Sequence, residues 1–252
     1  MSPLLDVQHI SKRYGGLTAL NDVSFSVETA EIVALVGDNG AGKSTLVKSI
    51  SGIIVPDDGR IRVAGTDLSP ATPTVATALG IQTVYQDLAL CDNLDTVQNL
   101  FLGREIVRPW YFGRRLQRAQ MEQRTREVLA GLDVNIRDLT SPIGNLSGGQ
   151  RQSVAVCRAI LAEPKLVMLD EPTAALGVAQ RKQVLALIER LKAQGRGVIV
   201  VSHDLADVLS VADRVVVMRL GRKVAELVRG SYSRDDLVAY ITGSRTSTRE
   251  AA

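Results

Sequence analysis

The chain contains 252 residues, of which 45% are hydrophobic and 23% are charged, and its formal net charge is +3. This composition predicts a globular protein with one substantial core or two modest lobes. The longest uninterrupted apolar stretches, such as 198–201 and 215–218, are far shorter than the ~20 residues that a membrane-spanning helix requires. Residues 1–6 lack the basic and apolar regions of a secretory signal. We therefore expect a cytosolic protein that does not cross a bilayer.

The cysteines and the charges disfavour two further classes of protein. Cys91 and Cys157 lie outside the spacings of metal ligands, and two cysteines do not form a disulfide scaffold in a chain of this length. We interpret both as packing thiols. The densest basic stretch, 104–118, is interleaved with apolar residues, which fits a solvated helix face and predicts no binding of nucleic acid.

Three patterns follow one another along the chain. Residues 1–65 alternate apolar and polar residues between turn-forming residues, which predicts a β-rich lobe that leads into a helix after Gly42. Residues 96–134 have helical spacing with an interruption at 109–113, which predicts an inserted helical lobe. From Lys165 onward, short apolar runs alternate with helical stretches, the pattern of parallel strands linked by helices. The sequence thus predicts the α/β class.

These patterns suggest a single domain, 1–252, in which both ends of the chain build a common core. We place the core at 1–86 and 165–241, and the helical subdomain at 87–164. The polar and aperiodic end of the chain, 242–252, is expected to be a flexible tail.

A glycine-rich segment lies between an apolar strand and a helix-forming stretch, the context in which a phosphate-binding P-loop is meaningful. Its glycines let successive backbone N–H groups point into one concavity, and the helix N-terminus adds a positive dipole that favours phosphate. Lys43 adds a full charge, and the Ser44 hydroxyl can bind Mg²⁺. An accidental glycine-rich turn is the alternative, expected in roughly one chain in a hundred of this length. The segment comprises Gly37, Asp38, Asn39, Gly40, Ala41, Gly42, Lys43 and Ser44, and Thr45 follows it.

An apolar run at 166–169 ends in two acidic residues, Asp170 and Glu171. This pattern predicts a buried parallel strand that delivers two carboxylates to its carboxyl end, beside the P-loop. Asp170 would hold Mg²⁺. Glu171 would be the general base that polarises the attacking water, because adjacent residues at a strand end face different directions. The alternative is a pair of solvated acids.

The segment 146–152 reads Leu-Ser-Gly-Gly-Gln-Arg-Gln and precedes a long helical stretch. A serine hydroxyl and glycine amides at a helix N-terminus can grip a γ-phosphate, whereas a loop before an N-capped helix is the alternative. Ser147 lies 23 positions before Asp170. With the P-loop, the acid pair and the order of the elements, the segment resembles the signature of ABC ATPases, and this resemblance covers nearly the whole chain. Its nucleotide-binding residues would be Ser147, Gly148, Gly149 and Gln150.

The resemblance implies a P-loop NTPase core with an antiparallel β-subdomain and an inserted α-helical subdomain. In ABC ATPases the signature of one cassette closes over ATP held by the P-loop of another, and this chain has one copy of each. The resemblance therefore implies ATP and Mg²⁺ as ligands and a second cassette as partner. A twofold homodimer is the simplest arrangement, and pairing with a different cassette is the alternative.

Further residues take their roles from the same resemblance. His203 matches the histidine that contacts the γ-phosphate, Gln86 matches the glutamine that touches Mg²⁺ or the attacking water, and Tyr14 matches the aromatic residue that stacks on adenine. Each could instead be an ordinary structural or solvated residue. Gly177 departs from the family, which usually has an aspartate in this interface loop. The implied catalytic residues are Lys43, Gln86, Glu171 and His203.

Three segments, 37–46, 99–105 and 171–176, are similar to the cassettes of bacterial monosaccharide importers, the ribose, xylose, galactose and fructose group. The resemblance implies a separate membrane permease, an extracellular or periplasmic sugar-binding protein acting through it, and a position on the inner face of the membrane. The alternatives are an exporter ATPase, a regulatory subunit that only binds nucleotide, and a non-transport ABC ATPase acting on ribosomes or DNA. The last group should show two cassettes with a charged linker or a long coiled-coil insertion, and these residues contain neither.

Overall fold

The computed structural model of the chain describes residues 2–108 and 115–245. Its strands form two sheets. They are β1 (Leu5–Tyr14), β2 (Leu17–Val27), β3 (Ile32–Val36), β4 (Asp58–Val63), β5 (Thr66–Asp67), β6 (Ile81–Val84), β7 (Leu166–Asp170), β8 (Gly197–Val201), β9 (Arg214–Arg219) and β10 (Arg222–Val228).

The helices lie between and around these strands. They are α1 (Lys43–Ile50), α2 (Pro73–Ala78), α3 (Thr96–Phe101), α4 (Arg118–Gly131), α5 (Gly148–Ile160), α6 (Val178–Ala193), α7 (Leu205–Val211) and α8 (Arg234–Thr242). Over the two described ranges, the helices are all too short or too polar to cross a bilayer.

The larger sheet has the strand order β10-β9-β3-β8-β7-β6, and only the β9–β10 pair is antiparallel. β3, β7 and β8 are almost entirely apolar and buried, as expected for parallel strands that are covered on both faces. The carboxyl ends of β7 and β8 are level, because Asp170 pairs with Val201. The predicted α/β class is confirmed, and the strand ends that carry the candidate site residues are adjacent.

The register of β8 is set where the strand begins. Gly197 pairs with Leu166, and its N–H donates to the Lys165 carbonyl at 3.0 Å. A side chain at Gly197 would come within 2.5 Å of Leu4 Cδ2 and 3.2 Å of the Glu28 carbonyl oxygen. A larger residue at this position would therefore have to displace the Leu4 side chain and would crowd the Glu28 carbonyl.

Three apolar clusters pack on the larger sheet, and the smallest of them includes Val36 of β3, Val217 of β9 and Leu237 of α8. On one face, the antiparallel sheet β2-β1-β4-β5 and helix α1 enclose a cluster that includes Leu5, Phe25 and Leu46. On the other face, α5 and α6 join α3 and α4 of the insert around a cluster that includes Leu100 and Val154. The insert thus shares a continuous core with the strands that carry the site.

The insert is less helical than the spacing of 96–134 predicts. Between α3 and α4 the chain pairs with itself, since the Gln117 N–H donates to the Ile106 carbonyl at 2.8 Å. The interruption predicted at 109–113 lies outside the described residues. At the other end of the chain, α8 extends through Thr242, and most of the tail predicted at 242–252 also lies outside the described ranges.

Candidate active site

The P-loop connects β3 to α1 and contains two backbone approaches that only glycine allows. A side chain at Gly37 would lie 2.2 Å from the Met218 carbonyl oxygen, and one at Gly42 would lie 2.6 Å from the Ala19 carbonyl oxygen. Gly42 also has a φ of 100° at the N-terminus of α1. The loop is therefore packed directly against the backbones of β9 and β2.

The turn between β9 and β10 packs against the P-loop and is hydrogen-bonded to it. The Gly221 N–H donates to the Ala41 carbonyl at 3.1 Å, and the Gly221 carbonyl accepts from the Asn21 N–H at 2.8 Å. A side chain at Gly221 would lie 2.9 Å from the Ala19 carbonyl oxygen. The sequence around Gly221 does not indicate this role, because its partners are far away in the chain and an isolated turn glycine is a weak signal.

Lys43 is buried and its side chain turns back into the P-loop. Its Nζ donates to the carbonyl oxygens of Gly37 at 2.6 Å and Asp38 at 3.0 Å. Burial lowers the pKa of this ammonium group, while the nearby carboxylates of Glu171, Asp38 and Asp170 oppose that shift. A desolvated cation beside converging loop amides suits an anionic ligand such as a phosphate.

The remaining P-loop positions are accessible from solvent. Asp38, Asn39 and Gly40 are exposed at the tip of the loop, and Ser44 is exposed in the first turn of α1, where it is followed by half-buried Thr45. The tip and the hydroxyl are therefore available to a ligand.

Asp170 is the last residue of β7 and is half-buried. Burial raises the pKa of its carboxyl group, the neighbouring Glu171 adds to that shift, and Lys43 and Lys48 act against it. Burial therefore disfavours the ionised carboxylate of Asp170, and a cation bound at this strand end would stabilise that ionised form.

Glu171 leaves the strand with a left-handed backbone conformation, φ 51°. Its N–H donates to the Val201 carbonyl at 2.9 Å, and its Oε2 lies 2.7 Å from His203 Nδ1. The glutamate side chain is 16% exposed and the histidine 70%. A positive φ is uncommon for a non-glycine residue and persists when the surroundings fix it. Here it brings the carboxylate of one strand end to the imidazole of the next.

A cavity of about 660 Å³ lies over these strand ends. It brings together the start of the P-loop, Gln86, Glu171 and His203. Helix α8 provides part of an apolar wall, for which sequence analysis gave no signal. The cavity is lined by Val36, Gly37, Asp38, Asn39, Gln86, Glu171, Ser202, His203, Leu205, Val238, Ile241 and Thr242.

The segment resembling the signature lies elsewhere on the chain. Ser147 Oγ accepts from the Gln150 N–H at 3.3 Å, and Gln150 Oε1 accepts from the Ser147 N–H at 3.0 Å, so the two residues form a capping box at the start of α5. Both residues line a separate cavity of about 510 Å³ between α5 and α6. The P-loop and this segment of one chain therefore do not share a cavity.

The two glycines of this segment pack against the region around α6. A side chain at Gly149 would lie 2.9 Å from Gln180 Cβ, and one at Gly148 would lie 3.1 Å from Leu176 Cδ2. Close packing gives both positions a steric reason for glycine in addition to any contact of their amides with a ligand.

Tyr14 and Gly177 are both exposed. Tyr14 ends β1 with 46% of its surface exposed, and Lys12 Nζ lies 5.7 Å from the centroid of its ring. It does not line the cavity over the strand ends. Gly177 precedes α6 with an ordinary φ of −69°, and a side chain there would meet no atom within 4 Å. The backbone does not require glycine at position 177.

A P-loop with a buried lysine, set beside strand-end acids and a histidine, defines a P-loop nucleoside triphosphatase. Residues 20–174 match the protein family described as ABC transporter. The chain belongs to this family: it is an ATP-binding cassette, and it is an ATPase.

Curated relatives of this chain are named as sugar import proteins. A fructose import ATP-binding protein of Rhizobium meliloti is 44% identical over 99% of this chain and 97% of its own length. A xylose/arabinose import ATP-binding protein of Sulfolobus acidocaldarius is 42% identical over 88% of this chain and 87% of its own length. A ribose import ATP-binding protein of Hahella chejuensis is 36% identical over 98% of this chain, which spans 48% of that relative.

Solved structures show the same architecture. A nucleotide-free ATP-binding cassette from an ABC transporter superposes with a TM-score of 0.82 at 26% identity and covers 94% of this chain and 96% of its own. The ADP conformation of another cassette gives a TM-score of 0.79 at 25% identity with 96% coverage of both chains. The predicted ABC ATPase architecture is confirmed.

Proposed function

We propose that this chain hydrolyses ATP to drive a membrane importer for a monosaccharide. The observation that carries the proposal is the pairing of Glu171 with His203 beside the P-loop, in a chain whose relatives are named for import of fructose, xylose, arabinose and ribose. The ATP site supplies the reaction. The names of the relatives supply the class of cargo.

The P-loop residues would bind the ATP phosphates. Backbone N–H groups and the start of α1 would face the β- and γ-phosphates, and Lys43 would exchange its contacts with the Gly37 and Asp38 carbonyls for phosphate oxygens. Tyr14 would stack on the adenine ring, for which its exposed face is suited.

The donors at this site fit Mg²⁺. Ser44 offers a hydroxyl, Gln86 an amide oxygen and Asp170 a carboxylate whose burial favours a nearby cation. Mg²⁺ commonly takes few protein ligands and completes its shell with phosphate oxygens and water. When bound, the ion would neutralise charge that develops on the phosphates.

Glu171 would act as the general base and His203 as its partner at the γ-phosphate. The 2.7 Å contact orients both side chains, and the cavity beside them has room for the terminal phosphate and the attacking water. Glu171 would accept a hydrogen bond from that water and take its proton as the water oxygen bonds to the γ-phosphorus and the bond from that phosphorus to the β-phosphate oxygen breaks, which releases ADP and phosphate. Gln86 would help to orient the water.

The second half of each ATP site would come from another cassette. Ser147, Gly148, Gly149 and Gln150 lie apart from the P-loop of their own chain, whereas Ser147 and the start of α5 form the kind of helix N-terminus that binds phosphate. A homodimer would place each signature segment over the partner's P-loop. ATP binding would then strengthen association.

The cassette would act at the cytoplasmic face of the membrane, bound to a permease on separate chains. Sugar would reach the permease through an extracellular or periplasmic binding protein, so this chain would not contact the sugar. Affinity purification from solubilised membranes tests this assembly. Recovery of an integral membrane permease supports the proposal, and recovery of ribosomal proteins or DNA without a permease contradicts it.

The ATPase assignment is tested by Glu171→Gln, with the exposed Glu189→Gln on α6 as a matched control. We expect Glu171→Gln to bind ATP, to lose about 100-fold or more in kcat, and to elute as an ATP-dependent dimer. Glu189→Gln should retain full turnover. Wild-type turnover by Glu171→Gln would refute the assignment of the base.

A further inference from the structure

A cluster of four polar side chains lies directly behind the catalytic pair. Thr173 comes from the segment after Glu171, Arg181 from α6, and Asp204 and Asp207 from the start of α7. We refer to these four residues as the Arg181 cluster. The cluster joins three segments that are separate in sequence, and none of its members lines the cavity over the strand ends.

Arg181 holds two carboxylates at once. Its Nε donates to Asp207 Oδ1 at 3.0 Å and Oδ2 at 3.1 Å, and its Nη2 lies 2.9 Å from Asp207 Oδ1. The same Nη2 contacts Asp204 Oδ2. The planar guanidinium group makes such a multidentate arrangement possible, whereas a lysine offers a single point of charge.

Asp207 connects Arg181 to the segment that follows Glu171. Thr173 Oγ1 donates to Asp207 Oδ2 at 2.6 Å, and both residues are buried. The threonine lies two positions beyond Glu171, so its hydroxyl fixes the point at which the chain leaves the catalytic residue. A buried hydrogen bond to a charged group of this kind is costly to break.

Asp204 connects Arg181 to His203. Asp204 follows the histidine directly, its N–H donates to Ser202 Oγ at 3.0 Å, and its Oδ1 accepts from the Ala206 N–H at 2.9 Å. Arg181 therefore contacts a residue adjacent to His203 and, through Asp207, a residue close to Glu171. Since Glu171 has an uncommon left-handed φ, its surroundings must define its conformation.

We infer that Arg181 is a positioning residue for ATP hydrolysis, which holds Glu171 and His203 at their working separation through Asp204, Asp207 and Thr173. This inference rests on the proposed function, because it gives Glu171 and His203 their roles. Stability alone does not explain the cluster, since apolar side chains of similar volume often serve folding equally well. Fixed geometry is what several hydrogen bonds to one guanidinium group provide.

The test compares Arg181→Gln, Arg181→Lys and Lys182→Gln. Lys182 is exposed on the same helix, so Lys182→Gln removes the same charge without touching the cluster. Turnover is measured per bound nucleotide, together with ATP affinity, KM and the melting temperature. These readings separate a misplaced catalytic pair from a smaller folded fraction.

We expect Arg181→Gln to lose about 10- to 100-fold in kcat per bound nucleotide, because small displacements of reacting groups are costly. ATP affinity and KM should stay within about twofold, because the P-loop is untouched. Arg181→Lys should recover part of the lost kcat, since lysine can hold one carboxylate but not both. Lys182→Gln should match the wild type.

Thr173 provides a second pair of variants that does not depend on how Arg181→Gln folds. Thr173→Ser keeps the hydroxyl that Asp207 accepts from, while Thr173→Val keeps the shape and removes the hydrogen bond. We expect Thr173→Ser to retain turnover, and Thr173→Val to lose kcat with little change in KM.

Unchanged kcat per bound nucleotide in Arg181→Gln or Thr173→Val would overturn the inference, whatever happens to the melting temperature. Failure of the proposed function looks different. If Glu171→Gln turned over ATP at the wild-type rate, the catalytic assignment itself would be wrong. An inactive Glu171→Gln together with a fully active Arg181→Gln would overturn only the role of Arg181.

Discussion

Glu171 Oε2 lies 2.7 Å from His203 Nδ1, although the two residues are 32 positions apart in the sequence. Level strand ends, a left-handed backbone at Glu171 and its N–H bond to Val201 bring them together. The contact fixes which imidazole nitrogen faces the glutamate and leaves Nε2 free to face a ligand. Base and histidine thus form one unit.

Residues that act as a unit are expected to have non-additive effects when both are removed. The double variant Glu171→Gln/His203→Ala should lose no more kcat than the more damaging of the two single variants. Steady-state ATP turnover checks this. The matched control is His9→Ala, because His9 Nδ1 also lies 2.7 Å from a carboxylate, that of Asp22, at an exposed site. Multiplicative losses in the double variant would contradict a shared role.

Asp170 is expected to reduce the stability of the nucleotide-free protein. A carboxyl group whose pKa is raised above its ordinary 3.8 favours folding below that value, and loses this contribution as pH rises through the raised pKa. At neutral pH, Asp170→Asn should therefore raise the free energy of unfolding in urea while removing Mg²⁺-dependent turnover. The gain should shrink as pH falls toward 3.8.

Asp213 is the control for that experiment, because its carboxylate has favourable partners and should stabilise the fold. Its carboxylate lies 2.5 Å from Lys192 Nζ and accepts from the Ile32 N–H at 2.9 Å. Asp213→Asn should lower the free energy of unfolding by about 1 kcal/mol. A loss of stability in both variants would contradict the expectation for Asp170.

The two cysteines should differ in reactivity. Burial raises the pKa of the Cys157 thiol to about 12, and Cys157 has no exposed surface, whereas Cys91 is half-buried. Because the thiolate is the reactive form, iodoacetamide at pH 8 should alkylate Cys91 in the native protein and leave Cys157 unmodified. Mass spectrometry counts one adduct before and two after denaturation. Rapid labelling of native Cys157 would show that α5 opens readily.

Gly177 can be replaced by the aspartate that is usual in the family. The position precedes α6 with an extended backbone and open space, so Gly177→Asp should cap the helix without strain. We expect a gain of roughly 0.3 kcal/mol in the free energy of unfolding, since glycine is only slightly worse than aspartate at an N-cap. Gly177→Ala is the control, and it should be less stable than Gly177→Asp. Equal stabilities would mean that residue 177 does not cap α6.

The predictable parts of this site are those encoded by local patterns. The P-loop, the apolar run before Asp170 and Glu171, and the run before His203 each mark a strand end within a few residues. Parallel strands then bring their carboxyl ends to one edge. Secondary-structure patterning predicted that Glu171 would lie beside the P-loop, whereas the place of His203 at the γ-phosphate followed from the resemblance to ABC ATPases. Their roles in hydrolysis stay predictions until the variants are measured.

The parts that escaped prediction depend on contacts between distant segments. The Gly221 N–H, in a turn near the other end of the chain, donates to the Ala41 carbonyl of the P-loop. Helix α8 lines the cavity over the strand ends. Arg181 of α6 forms an ion pair with Asp204 at the start of α7. A glycine in a turn or an arginine on a helix looks the same whether it is solvated or essential to packing. Only the tertiary fold distinguishes these cases.

Gly149 illustrates how one pattern can carry two meanings. The sequence suggested glycine for the amide that it offers to phosphate, and the structure adds a contact with Gln180 that leaves no space for a side chain. Loss of function in Gly149→Ala would therefore not by itself identify a phosphate contact. A thermal melt of the nucleotide-free variant separates the two meanings.

The beginning of β8 has a consequence for how natural variants of this chain should be ranked. Gly197 is the first residue of β8, whose last residue, Val201, lies two positions before His203, about 20 Å from Gly197 along the backbone. We expect a larger residue there to shift β8, and with it His203, relative to Glu171, while the P-loop residues stay in place. Scoring variants by their distance from the ATP site would class Gly197 as harmless. We expect such a variant instead to bind ATP normally and to hydrolyse it slowly.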